Sequence, residues 1–169
     1  MDLRILNAEI QAFITTNIGK SISKLALQKN PFHDVDWISI LNQIEAKTKA
    51  QYKLPLWFST ENIIYPSKIS IEQTSSEKTA AYKASILSGE SLIDLTGGFG
   101  VDDYYFAKKI KKVVHCEINT ELSNIVKHNF KQLNASNISC YTGDSSVTLS
   151  ALNSKWDSIY IDPSRRNDA

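Results

Sequence analysis

The sequence predicts an α/β fold, a Rossmann-like parallel sheet, preceded by a helical N-terminal segment. Three observations predict it. Strand-like and helix-like segments alternate from residue 74 onward, a glycine-dense turn (Gly97-Gly98-Phe99-Gly100) follows the first apolar strand, and carboxylates end successive strands. The chain has 169 residues, of which 42% are apolar and 22% charged, which is typical of a globular protein. Its formal net charge of +1 does not by itself indicate a nucleic-acid partner.

Residues 1–55 are predicted to form an N-terminal helical segment. Its first helix is indicated by apolar residues at helical spacing, which are Leu3, Leu6, Ile10, Phe13 and Ile14. Gly19 interrupts this pattern, and a second short helix ends at Asn30-Pro31. A third helix begins at Asp34 or Asp36 and stops before Pro55.

Residues 56–72 are predicted to form an extended or hairpin-like connector. The region Leu54–Ile71 is rich in aromatic and β-branched residues and is broken by Pro66, which is typical of an edge strand. Residues 73–169 then form the Rossmann-like domain.

The regular part of the chain begins with a helix. Thr74-Ser75-Ser76-Glu77 has capping-box spacing and predicts a helix that runs to Ser88 and stops at Gly89. The predicted strands are Ser91–Leu95, Lys112–Glu117, Ile138–Tyr141 and Ser158–Ile161. The predicted helices between them are Val101–Ile110, Thr120–Leu133 and Ser145–Leu152. This alternation favours parallel pairing through right-handed crossovers.

The glycine turn indicates a cofactor loop. A dinucleotide fingerprint needs a third glycine, which is missing after Gly98-Phe99-Gly100. Asp102 and Asp103 stand at the helix start, where they would repel a pyrophosphate but tolerate the cationic S-adenosylmethionine (SAM). Alternatively, Asp102 caps the helix and the loop is a tight turn without a ligand.

Three carboxylates follow successive predicted strands. Asp94 ends the first, Glu117 the second, and Asp144 comes after the third. The carboxyl ends of parallel strands line one crevice, and Glu117 follows Asp94 at about the 20-residue spacing of a ribose-binding acid. Asp144 is a candidate acceptor for the adenine amino group. The alternative for each acid alone is a solvated loop carboxylate.

The last motif is Asp162-Pro163-Ser164-Arg165-Arg166, directly after the fourth strand. Asp162 is placed to accept a hydrogen bond from a nucleophilic amine, while Arg165 and Arg166 suit a phosphate or carboxylate. A charged loop without function is the equal alternative.

From Gln73 to Arg166, these motifs together resemble class I SAM-dependent methyltransferases, most closely a bacterial group with a THUMP-like domain that is associated with RNA. The resemblance implies strand order 3-2-1-4 and SAM as cofactor. The cofactor-binding residues that it implies are Gln73, Thr74, Asp94, Thr96, Gly98, Gly100, Glu117, Ile118, Asp144 and Ser145. The catalytic residues that it implies are Asp162, Pro163, Ser164 and Arg165. Ser164 and Arg165 depart from the Pro-aromatic pair of amino-directed enzymes, so base stacking at that position is not expected.

The resemblance also implies further strands after the fourth, so we expect a C-terminally incomplete chain whose exposed fourth-strand edge promotes self-association. RNA is the expected partner, with no metal, no membrane and a cytoplasmic location. Four lysines, Lys108, Lys109, Lys111 and Lys112, either contact RNA or form a solvated helix end, and the second interpretation is favoured. The alternatives to an RNA methyltransferase are a small-molecule methyltransferase and a noncatalytic association module.

Overall fold

The computed structural model describes residues 2–163. The chain divides into two compact units, an N-terminal unit Met1–Glu72 and a C-terminal unit Gln73–Ala169. Each unit is considered by itself below.

The N-terminal unit is helical over its described residues. A 3₁₀ turn, Leu3–Leu6, precedes the helices α1 (Ala8–Thr16), α2 (Ile22–Ala26), α3 (Trp37–Lys53), α4 (Pro55–Ser59) and α5 (Lys68–Gln73). The apolar pattern predicted one continuous first helix, but the chain breaks at Asn7. The Asn7 side chain accepts a hydrogen bond from the Glu9 N–H and so starts α1 anew.

The prediction of extended or hairpin structure over Leu54–Ile71 is wrong, since this stretch contains α4 and most of α5. Pro55 occupies the first turn of α4, where its missing N–H costs no hydrogen bond. Between the helices, the Gln43 side chain takes the place of a strand partner. It accepts from the Tyr65 N–H at 2.9 Å and donates to the Tyr65 carbonyl at 2.6 Å. The Tyr65 hydroxyl donates to the carbonyl of the fully buried Trp57 at 3.0 Å.

The C-terminal unit alternates helices and parallel strands. Its elements are α6 (Glu77–Ile86), β1 (Ser91–Asp94), α7 (Val101–Ala107), β2 (Lys112–Glu117), α8 (Thr120–Gln132), β3 (Ile138–Thr142), α9 (Ser145–Leu152) and β4 (Ser158–Tyr160). All strand pairs are parallel and the order is β3-β2-β1-β4. The predicted α/β class and the strand order 3-2-1-4 are therefore confirmed.

The two central strands are buried on both faces, as parallel sheets require. Leu92 and Val113 pack with Phe106 of α7 on one face. Ile93 and Val114 form the other cluster, against which partly buried residues of α9 pack. Burying one such aliphatic side chain contributes about 1.5–3 kcal/mol, so this alternation fixes the register of β1 and β2.

The start of α6 differs from the prediction. Ser76, not Thr74, caps this helix, because the Ser76 hydroxyl accepts from the Thr79 N–H at 3.1 Å. The predicted Thr74–Glu77 capping box is therefore wrong, and α6 begins at Glu77 and ends at Ile86.

Candidate active site

The glycine turn lies between β1 and α7, and its glycines meet different surroundings. A Cβ on Gly97 would lie 2.2 Å from the His115 ring, and one on Gly100 would lie 2.5 Å from Phe130. Gly98 and Gly100 have φ values of 55° and 76°, which favour glycine. A Cβ on Gly98 would meet nothing nearer than 3.7 Å. Gly97 and Gly100 are thus required for packing, whereas Gly98 presents open backbone.

Asp94 shapes the turn from beneath. Its side chain is 1% exposed and accepts hydrogen bonds from the Thr96 N–H at 2.7 Å and the Thr96 hydroxyl at 3.1 Å. Burial, helped by the nearby Asp103 carboxylate, raises the pKa of Asp94 to about 8. Asp94 therefore organises the loop rather than lining an open crevice.

The two acids at the start of α7 do not face an open site as the sequence analysis expected. Asp103 is fully buried and lies 2.5 Å from Nδ1 of the buried His115, and burial raises the pKa of Asp103 well above its usual value. Asp102 pairs with the Lys83 ammonium at 3.0 Å. Because Asp103 is buried and Asp102 is paired with Lys83, the expectation that both acids would repel a pyrophosphate is wrong. The interpretation of Asp102 as a helix cap is also wrong, because Gly100 is the N-cap residue of α7.

Glu117 joins the end of β2 to the glycine turn. One carboxylate oxygen accepts the Gly98 N–H at 3.0 Å, and the other accepts the Asn119 N–H at 2.7 Å. The next side chain, Ile118, is 74% exposed and offers an apolar surface beside this carboxylate. The charged and apolar groups that suit a nucleoside thus stand side by side.

Asp144 lies at the end of β3 and caps α9. Its carboxylate accepts from the Ser146 N–H at 2.8 Å and the Ser146 hydroxyl at 2.7 Å, and these bonds lower the pKa of Asp144. Gly143, with φ 122°, has open space at its Cβ position, and its N–H donates to the Glu117 carbonyl at 3.0 Å. The ends of β2 and β3 are therefore held together. Ser145 is the first residue of α9.

Asp162 follows β4 and is tied to the glycine turn. Its N–H donates to the Thr96 hydroxyl at 2.7 Å. Its carboxylate accepts from the Lys83 ammonium at 2.9 Å and the Tyr160 hydroxyl at 3.0 Å. The Lys83 hydrogen bond, followed by that of Tyr160, lowers the pKa of Asp162.

The remaining predicted residues are more loosely placed. Gln73 is exposed at the end of α5, Thr74 is half-buried before the start of α6, and Pro163 is exposed after β4. Ser164 and Arg165 lie outside the described residues.

The sequence analysis missed Lys83, a residue of α6. Its ammonium lies within hydrogen-bond distance of four oxygens, which are Ser75 Oγ (2.9 Å), Asp102 Oδ2 (3.0 Å), Tyr160 Oη (2.5 Å) and Asp162 Oδ2 (2.9 Å). A lysine on an amphipathic helix is ordinarily solvated, so no local pattern marks this one.

Within residues 2–163, no cluster of three or more His, Cys, Asp or Glu side chains is placed to hold a metal ion. In the same part of the chain, every helix is too short or too polar to cross a membrane. A cavity of about 680 Å³ lies between α8 and β3, and its lining includes none of the predicted site residues. It is lined by Lys127, Phe130, Lys131, Asn134, Ala135, Ser136, Ile138 and Cys140.

No family model matches the chain, but known proteins resemble it. An uncharacterized RNA methyltransferase of Clostridium acetobutylicum is 33% identical over 79 residues, which are 47% of this chain and 17% of that protein. The crystal structure of a "putative methyltransferase" from Porphyromonas gingivalis W83 superposes with a TM-score of 0.76 and 28% identity. The superposition covers 96% of this chain and 41% of that one. The chain thus spans less than half the length of either relative.

Proposed function

We propose that this chain, which has a Rossmann-like α/β fold and resembles proteins described as methyltransferases, is part of a class I SAM-dependent methyltransferase. In this proposal the chain binds SAM and carries the cofactor-binding part of an enzyme that methylates RNA at an amino or ring nitrogen. One observation carries the proposal: the loops after β2 and β4 are both hydrogen-bonded to the turn after β1. The Gly98 N–H bonds Glu117 at 3.0 Å, and the Asp162 N–H bonds Thr96 at 2.7 Å. Ligands of open α/β sheets bind at this edge.

The residues at this edge fit SAM. Gly98 and Gly143 leave open space where side chains would stand, so a ligand can approach the backbone closely. The Glu117 carboxylate suits a pair of ribose hydroxyls, and the exposed Ile118 suits an adenine face. The exposed Asp144 suits the adenine amino group.

SAM, when bound, supplies a methyl group on an electrophilic sulfonium. The chain's contribution is to orient the nucleophile, for which we propose Asp162 and the loop that follows it. The Lys83 hydrogen bond lowers the pKa of Asp162, so this carboxylate is ionised at neutral pH and accepts hydrogen bonds. An ionised acceptor favours a substrate that presents an N–H. Orientation of this kind is the main requirement of a direct displacement.

RNA as the acceptor is supported by the name of the Clostridium relative. The four-lysine cluster does not carry this part of the proposal, because each lysine has a partner within the C-terminal unit. Lys108 lies over the Tyr104 and Tyr105 rings, Lys109 donates to the Ser85 carbonyl, Lys111 pairs with Glu90, and Lys112 lies over Trp156.

The proposal is tested by incubating the chain with SAM labelled in its methyl group. Total RNA and a protein-free metabolite extract are offered as separate acceptors, and Asp162→Ala is the control variant. We expect label in RNA that is lost in the variant. Label in the metabolite extract alone would mean that the methyl acceptor is a small molecule and not RNA. If SAM binds but neither acceptor is labelled, the chain binds the cofactor without transferring its methyl group, and the role proposed for Asp162 is contradicted.

A further inference from the structure

We propose that Lys83 is a positioning residue, whose ammonium fixes the Asp162 carboxylate where the methyl acceptor is to be oriented. This inference rests on the function proposed above and adds to it a residue outside the recognised motifs. The described hydrogen bonds of Lys83 go to Ser75, Asp102, Tyr160 and Asp162, so its proposed effect passes through Asp162.

Lys83 connects several elements of the C-terminal unit. Lys83 lies on α6, and its ammonium joins oxygens from three other places in the C-terminal unit. These are Ser75 before α6, Asp102 on α7, and the end of β4, which supplies both Tyr160 and Asp162. One side chain thus connects two helices to the loop after β4.

The Asp162 backbone is fixed by its N–H bond to Thr96, but its side chain is 58% exposed. The described hydrogen bonds to its carboxylate come from Lys83 and Tyr160. Without them the carboxylate samples other rotamers, and a small misplacement of an orienting group is costly in a displacement reaction.

Lys83 is 23% exposed at its side chain and faces Asp102, which is 15% exposed, as well as Asp162. One cation therefore offsets two carboxylates and leaves the cluster with a net charge of −1, which suits a cationic ligand nearby. Loss of Lys83 alone would change both the charge and the position of Asp162, so the test must separate the two effects.

The test uses two ligands that differ where SAM carries its methyl group. S-adenosylhomocysteine (SAH) has a neutral sulfur there, whereas sinefungin has a carbon that bears a primary ammonium. An aligned Asp162 carboxylate pairs with that ammonium, so the wild-type chain should bind sinefungin more tightly than SAH. The ratio of the two dissociation constants, measured by calorimetry, reports the alignment of Asp162.

The decisive variant is the double substitution Lys83→Met/Asp102→Asn, which removes one charge of each sign and keeps the net charge at −1. We expect its sinefungin-over-SAH ratio to fall at least fivefold, with SAH affinity within twofold of wild type. Lys83→Met alone should also have a lower sinefungin-over-SAH ratio. Its added negative charge, acting alone, would instead raise that ratio. Lys78→Met, which changes an exposed lysine of the same helix, should change nothing.

A double variant with the wild-type ratio would overturn the positioning role and leave the proposed function intact. Failure of the folded wild-type chain to bind SAH would overturn both. If the double variant does not fold, Lys83→Met alone decides, because loss of the cation would by charge alone raise the ratio. A ratio below the wild-type value then supports the positioning role, whereas a ratio at or above the wild-type value contradicts the inference.

Discussion

Gly97→Ala is expected to destabilise the C-terminal unit severely, although the substitution adds one methyl group. Gly97 does not have a positive φ, so the effect is purely steric. The new Cβ would lie 2.2 Å from two atoms of the His115 ring, and ordinary contacts begin near 3.4 Å. The ring must therefore move by more than 1 Å.

His115 has no room to move. It is fully buried, its Nδ1 lies 2.5 Å from Asp103, and its ring packs edge-on against Phe130 at 5.8 Å. Overpacking of a core costs about 1–3 kcal/mol. Displacing the ring also breaks the bond to Asp103, which adds about 1–3 kcal/mol for buried groups left unsatisfied. The sum, about 4 kcal/mol, is a large part of the stability of a typical domain.

The assay is urea denaturation, monitored by hydrogen exchange of the peptides that contain β1 and β2. This readout reports the stability of the C-terminal unit by itself. Gly98→Ala is the matched control. It places a side chain at φ 55° with nothing nearer than 3.7 Å, so it should cost only about 1 kcal/mol. Equal stabilities of Gly97→Ala and wild type, or a greater loss in Gly98→Ala, would refute the proposed packing of the turn on His115.

Three further predictions concern stability. Because the pKa of Asp94 is raised to about 8 in the folded chain, the folded state holds a proton that the unfolded state lacks between about pH 4 and 8. This acid therefore makes stability fall as pH rises through that interval, and Asp94→Asn should flatten the fall in urea midpoint between pH 5 and 8. Ser76→Ala should cost about 1 kcal/mol in the free energy of unfolding through loss of the α6 cap, whereas Thr74→Ala should change it by less than about 0.5 kcal/mol. Tyr65→Phe should destabilise the N-terminal unit by about 1 kcal/mol, because the hydrogen bond from the buried Tyr65 hydroxyl to the Trp57 carbonyl is lost.

Each of these has a contrary result. If the urea midpoint of Asp94→Asn falls between pH 5 and 8 as steeply as that of the wild type, another group causes the fall. A larger loss in Thr74→Ala than in Ser76→Ala would restore the capping box that the sequence suggested. The stability of Tyr65→Phe is measured by hydrogen exchange of peptides from α3 and α4. An unchanged stability would show that the hydrogen bond of the Tyr65 hydroxyl contributes nothing.

The sheet was predictable from the sequence because its determinants are local. The strand β2 reads as a short apolar run that ends on Glu117, and Gly97–Gly100 marks the turn after β1. A strand that is buried on both faces needs such a continuous apolar run, so the run indicates a central strand of a parallel sheet. Boundaries were less certain, as at α6, where three consecutive hydroxyl residues, Thr74, Ser75 and Ser76, all suit a cap by composition.

The errors arose where distant residues decide the outcome. Ile63-Ile64-Tyr65 has high strand propensity, but the side chain of Gln43 bonds both backbone groups of Tyr65 and no strand forms there. Propensity is readily overridden by such tertiary contacts. The Asp103–His115 pair and the Lys83 cluster were not predicted, because each joins residues that are distant in the sequence.

The proposed cofactor site is the edge of the sheet beside Glu117, where SAM is expected to bind. It is tested by calorimetric titration of the chain with SAH, in parallel with Glu117→Ala and the exposed control Glu61→Ala. Hydrogen bonds to a charged group contribute about 1.5–3 kcal/mol each, so loss of the Glu117 carboxylate should weaken binding at least tenfold while Glu61→Ala leaves it unchanged. Absence of binding by the folded chain at millimolar SAH, or equal affinity in Glu117→Ala, would contradict the claim.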